Sequence, residues 1–112
     1  MSPLTYHLVP RAEWQAGEPT RPYLPAAFET DGFVHCTEGA DELAATANRY
    51  FSTFDGELLA LVVDLAQVTA PVRYEDPRRI YPHVYGPIER SAIVEVLVMR
   101  RDIDGRFLPP AR

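Results

Sequence analysis

Residues Leu58-Leu59-Ala60-Leu61-Val62-Val63 are apolar without interruption. A strand with one face in water alternates apolar and polar side chains, so an unbroken run predicts a strand buried on both faces. Any fold of this chain therefore has to cover residues 58–64 on two sides. The second organising stretch is Gly32-Phe33-Val34-His35-Cys36-Thr37, followed by residues 38–51. Phe33 and Val34 favour extended backbone, and Thr37 is suited to cap the N–H groups of the turn that follows. Leu43, Ala47, Tyr50 and Phe51 recur at helical spacing, which predicts an amphipathic helix. A strand that hands His35, Cys36 and Thr37 to a helix N-terminus gathers hydrogen-bonding groups where backbone donors converge, and such a place suits a ligand.

The remaining segments arrange themselves around these two. Leu4 to Val9 alternates as a first strand. Pro10 opens a short helix over residues 11–16, anchored by Trp14 and ended by Gly17 as a C′ glycine. Residues 18–31 carry Pro19, Pro22 and Pro25 and read as a stiff connection with one helical turn over residues 25–30. Asp55-Gly56 marks a turn, Asp64 caps a single helical turn, and residues 72–75 alternate as a half-exposed strand. Residues 76–86 read as irregular. Residues 92–101 form a strand with Ile93, Leu97 and Met99 on one face, where Glu95 keeps one end wet. Asp104-Gly105 predicts a two-residue hairpin leading to a short edge strand. Two short helices and about six to seven strands make a single α+β domain over residues 1–112.

A chain of 112 residues can bury roughly two-thirds of its unfolded surface without disulfides or metal. Its net charge of −5 argues against a nucleic-acid partner, since phosphate binding needs a basic face. The local group Arg73, Arg78, Arg79 and Arg90 is interleaved with Glu75, Asp76 and Glu89 and reads as a solvated mixed face. One cysteine excludes an internal disulfide and suits a reducing compartment. Met1-Ser2-Pro3-Leu4 lacks the charged segment and apolar core of a signal peptide, and no apolar run approaches the ~20 residues of a membrane span. The expectation is a cytoplasmic monomer or weak homodimer.

Chemistry-bearing residues are few. Three histidines, His7, His35 and His83, each lie in or beside a predicted strand with polar or aromatic neighbours. A lone strand histidine is usually a hydrogen-bonded structural residue; three in such settings make a pocket shared by at least two of them an equally strong reading. No H-x-x-x-H or C-x-x-C spacing occurs, so no metal is expected, and a three-imidazole site is kept as a rival. Cys36 and His35 point to opposite faces of their strand and cannot pair directly; His7 or His83 could reach the sulfur, but a buried, inert thiol is the favoured reading. No Gly-rich phosphate loop and no G-x-S-x-G elbow is present.

The chain carries Tyr6-His7-Leu8-Val9, Trp14, the run from Gly32 to Thr37, Ala45-Thr46-Ala47-Asn48-Arg49-Tyr50-Phe51, Tyr81-Pro82-His83-Val84-Tyr85-Gly86-Pro87-Ile88 and Asp104-Gly105-Arg106-Phe107. In combination they resemble the bacterial family of domain of unknown function 952, over nearly the whole chain. That family is placed by fold among the ADP-ribosyltransferase-like domains. The resemblance implies a split, mixed β-sheet around a nicotinamide dinucleotide cleft, with NAD or a related nucleotide as ligand; the residues themselves fix no cofactor. It further implies that His7 holds a ribose and that Asn48 and Tyr50 help frame the nicotinamide pocket. Two positions depart from the transferase pattern. The glutamate expected near Tyr85 or Gly86 is missing, with Glu89 and Glu95 out of register, and Leu8 replaces a glycine whose backbone grips the carboxamide. That glutamate stabilises a developing oxocarbenium ion, so its absence argues against ordinary ADP-ribosyl transfer. RNA 2′-phosphotransferases share the fold and also lack it, but they need a basic site.

The expectation is an ADP-ribosyltransferase-like α+β domain that binds a nucleotide-like or small phosphorylated ligand. His7, His35, Thr37, His83 and Tyr85 line the cleft, with His35 or His83 as acid/base and Tyr50 or Tyr85 stacking on a ring. Arg21 and Tyr23 overhang it from the proline-rich connection. If the domain is catalytic, it is a divergent ADP-ribosyl- or phosphotransferase-like enzyme or a glycohydrolase acting on a dinucleotide; the rivals are a non-catalytic interaction module and a small metal-dependent hydrolase using the three histidines.

Overall fold

The computed structural model describes residues 3–111; Met1 and Ser2, on which part of the leader reading falls, and Arg112 lie outside the described residues. In chain order the elements are β1 (Leu4–Pro10), α1 (Arg11–Ala16), α2 (Phe28–Asp31), β2 (Val34–His35), α3 (Ala40–Tyr50), β3 (Leu58–Asp64), β4 (Val72–Tyr74), β5 (Pro82–Val84) and β6 (Ile93–Val98). They form two three-stranded sheets with strand orders β1-β3-β6 and β2-β5-β4.

The unbroken apolar run is β3, the middle strand of the larger sheet and buried at every position. Leu59, Leu61 and Val63 face one apolar cluster with Val9, Val34, Val84 and Ile88. Leu58 and Ala60 face a second cluster with Leu43 and Ala47 of α3, Met99 and Phe107. The two layers that cover β3 are thus the small sheet and α3, and each buried Leu or Val in it contributes ~1.5–3 kcal/mol.

Several expectations are corrected. Every strand pair among the described residues is antiparallel, so the sheets are not mixed. The connection 75–81 between β4 and β5 is too short for the crossover that parallel neighbours need. The helical turn on the proline-rich connection is a third helix, α2, closed by Gly32 in the left-handed region at φ 79°. Gly17 has extended backbone (φ −75°, ψ 151°), so it is not a left-handed C′ glycine. Residues 76–86 are not wholly irregular: they contain β5, which bonds to both β2 and β4. Thr37 does not cap α3, whose N-cap is Gly39 with no side-chain bond. Tyr50, on the Leu43 face by spacing, is 70% exposed at the end of α3. The Asp104-Gly105 loop has three residues, with Asp102 N–H bonded to the Arg106 carbonyl at 2.8 Å and Gly105 at φ 83°. The strand expected after it is reduced to a single bridge between Arg101 and Phe107.

Other local readings agree with the structure. Asp64 accepts the Ala66 N–H at 3.0 Å and caps the 3₁₀ turn Leu65–Gln67. Trp14 packs against the first cluster. Among the described residues no helix is long and apolar enough to cross a membrane.

Candidate functional site

The site begins where the two sheets part. Tyr6 and Thr37 exchange two backbone hydrogen bonds, of 3.1 and 2.8 Å, and join β1 to the segment after β2. Beyond that bridge a side chain takes over from the ladder: His7 Nδ1 lies 2.6 Å from the His35 carbonyl. A carbonyl only accepts, so Nδ1 carries the proton. His7 Nε2, 2.7 Å from the Tyr23 hydroxyl, is therefore the acceptor of that O–H. Burial lowers the His7 pKa from 6.5 to about 4, so the ring is neutral. Burial likewise raises that of the Tyr23 phenol.

The parting strands open a cleft of about 740 Å³, bounded by β1, the last turns of α3, and the small sheet. Backbone polar groups of an antiparallel strand alternate sides. Tyr6 aims its N–H and C=O at Thr37, so those of Leu8 are aimed the same way, into the cleft. On the opposite wall His35 stands across from His83, and His83 from Arg73, in one row over the small sheet. The His35 and His83 ring centroids are 5.7 Å apart. Phe33 stacks on His83 at 4.0 Å and lies 4.6 Å from His35.

Each of these imidazoles is held by a carboxylate. Asp31 Oδ2 lies 2.9 Å from His35 Nε2, and Glu75 Oε1 lies 2.9 Å from His83 Nδ1. Glu75 also accepts the Tyr85 hydroxyl. The hydroxyl of Tyr85 and then the His83 ring hold the Glu75 carboxyl below its ordinary range, so it stays ionised. An ionised carboxylate accepts, so the bonded nitrogen of each ring carries a proton. His35 Nδ1 and His83 Nε2 have no hydrogen-bond partner among the described residues and are open to a ligand.

Residues 8–96 match the family model described as "Protein of unknown function (DUF952)". The chain belongs to the DUF952 family. It is similar to the crystal structure of protein CC0527 from Caulobacter crescentus, at 25% identity over 96% of this chain and 93% of that one, with a TM-score of 0.76. The solution NMR structure of CC0527 is similar at 27% identity over 95% and 90% of the two chains, with a TM-score of 0.72. No curated protein matches the sequence.

In this DUF952 chain His7, His35, Thr37, Tyr50 and His83 all line the cleft. They are not equivalent, because His7 is buried with both ring nitrogens engaged while His35 and His83 each keep one open. Tyr23 does not overhang the cleft: it is 4% exposed, packed in the core, with its backbone bonded to Ile88. Arg21 is exposed on the surface, where its carbonyl accepts Arg90 Nε at 2.7 Å. Tyr85 reaches the site through Glu75. No group of three or more His, Cys, Asp or Glu side chains among the described residues is placed to hold a metal ion. Burial pushes the Cys36 thiol up to about 12, which makes it a poor nucleophile.

Four residues escaped the sequence argument: Asp31, Phe33, Glu75 and Arg49. Asp31 sits four residues before His35, and Glu75 directly follows β4, whose Arg73 faces His83. A search for carboxylates within one turn or one strand of each histidine finds the first. The second requires knowing that β4 and β5 pair.

Proposed function

We propose that the DUF952 cleft binds a small nucleotide-like, phosphate-bearing ligand on an ADP-ribosyltransferase-like scaffold. One observation carries this: two carboxylate-held imidazoles, with ring centroids 5.7 Å apart, line a cleft of about 740 Å³, and each has one ring nitrogen with no hydrogen-bond partner among the described residues. That volume is in the range of small-molecule sites, ~300–1,000 Å³. The two departures from the transferase pattern also look different in three dimensions. The Leu8 side chain packs toward the α3 cluster, so its backbone edge remains available to a ligand amide. An anion does stand beside Tyr85, supplied by Glu75. A reducing, cytoplasmic setting and a ligand held by one chain or a weak homodimer go with this function. The reducing setting is in keeping with the free Cys36 thiol.

Thermal unfolding in the presence of NAD, ADP-ribose and nicotinamide mononucleotide tests the reading. A ligand at 100 times its Kd adds ~2.7 kcal/mol, which raises the Tm of a domain this size by about 10 °C. No rise with any of the three at millimolar concentration contradicts it.

A further inference from the structure

We infer that His35 and His83 form an acid–base pair that hydrolyses a phosphodiester bond in the bound ligand. The inference rests on the cleft being a site for a phosphate-bearing molecule. Asp31 and Glu75 are each engaged in pinning an imidazole, which leaves neither placed as a nucleophile toward a sugar carbon. What the cleft offers the ligand is a pair of imidazole nitrogens on neighbouring strands. A phosphorus centre attacked in line needs a proton acceptor on the entering side and a proton donor on the leaving side, and two such nitrogens supply both. Arg49 lines the same cleft, and its guanidinium lies 5.9 Å from the centre of the Tyr50 ring. With no carboxylate partner among the described residues, its guanidinium is available to non-bridging phosphate oxygens.

The step needs the pair to carry one proton on its open nitrogens. The neutral imidazole takes a proton from water as the water oxygen bonds to phosphorus. The bond from phosphorus to the leaving oxygen breaks with its electron pair on that oxygen, which takes the proton of the other imidazolium. The products are a phosphomonoester and an alcohol. The pair ends with its roles exchanged and resets by proton exchange with solvent. Charged and titratable groups facing it are Asp31 from α2, Arg49 of α3, Arg73 of β4, Glu75 and Asp76 after β4, Tyr85 after β5 and the neutral His7 ring on β1.

The test uses the full chain, with and without EDTA. Hydrolysis of bis(p-nitrophenyl) phosphate and of 2′,3′-cyclic AMP is followed from about pH 5 to 9 in wild type, H35A and H83N, alongside the ADP-ribose thermal shift. His83 stacks on Phe33, so asparagine is used there, and each variant is assayed below its own Tm. The expected result is a bell-shaped kcat/KM profile, with kcat lowered ~10²–10⁴-fold by either substitution. The double variant falls little further, because the two rings act as a unit. An ADP-ribose shift without hydrolysis overturns the cleavage step and leaves ligand binding standing; neither signal overturns both. Hydrolysis that survives in either variant, or that EDTA abolishes, also overturns the pair.

Discussion

His7 serves this protein as a neutral ring. Its Nδ1–H replaces a ladder bond to the His35 carbonyl, and its Nε2 takes the Tyr23 hydroxyl. Unfolded, the ring titrates near 6.5; folded, burial holds it to about 4. Between those values the unfolded chain binds a proton that the folded chain does not, so stability is lost as pH falls through that window. The loss approaches the order of 3 kcal/mol at the bottom of the window. Denaturant melts at pH 7 and pH 4.5 are expected to show a smaller acid loss in His7→Gln than in wild type. Glu75, Asp76 and Glu89, also held low, lose their contribution in both proteins and cancel in the comparison. At pH 7 Tyr23→Phe leaves the buried His7 Nε2 without a donor and costs ~1–3 kcal/mol. Cys36, pushed up to about 12 by burial and Glu38, is expected to resist a disulfide reagent at pH 8 until the chain unfolds. Rapid labelling of folded protein contradicts that burial.

At the scale of elements, β3 decides the architecture, and Leu61→Ala is expected to cost ~2–5 kcal/mol in equilibrium unfolding. A clamp ties α3 to the C-terminal segment: Asn48 Nδ2 donates to the Phe107 carbonyl at 3.1 Å, and Phe107 N–H donates to Asn48 Oδ1 at 2.7 Å. Asn48→Ala leaves both backbone groups unpaired and is expected to lower stability by ~1–3 kcal/mol. These elements differ in how far the sequence reveals them. β3 and the Asp64 cap are visible because local pattern and capping chemistry determine them. β5 is hidden by Pro82 and by its irregular flanks, since pairing on both sides, not propensity, makes it a strand. Tyr23 reads as a surface ring because its prolines mark a loop, yet Ile88, 65 residues later, draws it into the core. The cleft histidines are legible as residues, whereas their carboxylate partners depend on α2 ending beside β2 and on the pairing of β4 with β5.

For the whole molecule, the cleft exists because two antiparallel sheets share the Tyr6–Thr37 bridge and then diverge. One wall offers the backbone edge of Leu8, the other the His35–His83 pair, and the end of α3 adds Arg49 and Tyr50. Under the proposed function, a ligand engages His35 and His83 directly and leaves His7 as a fixed prop between the sheets. Long-range ¹H–¹⁵N correlation of the three imidazoles during an ADP-ribose titration tests this most directly. The side-chain nitrogens of His35 and His83 are expected to shift together and saturate, while His7 keeps its Nδ1–H tautomer with little change. Imidazole signals that stay still at millimolar ligand, or a response confined to His7, contradict a ligand site at the histidine pair.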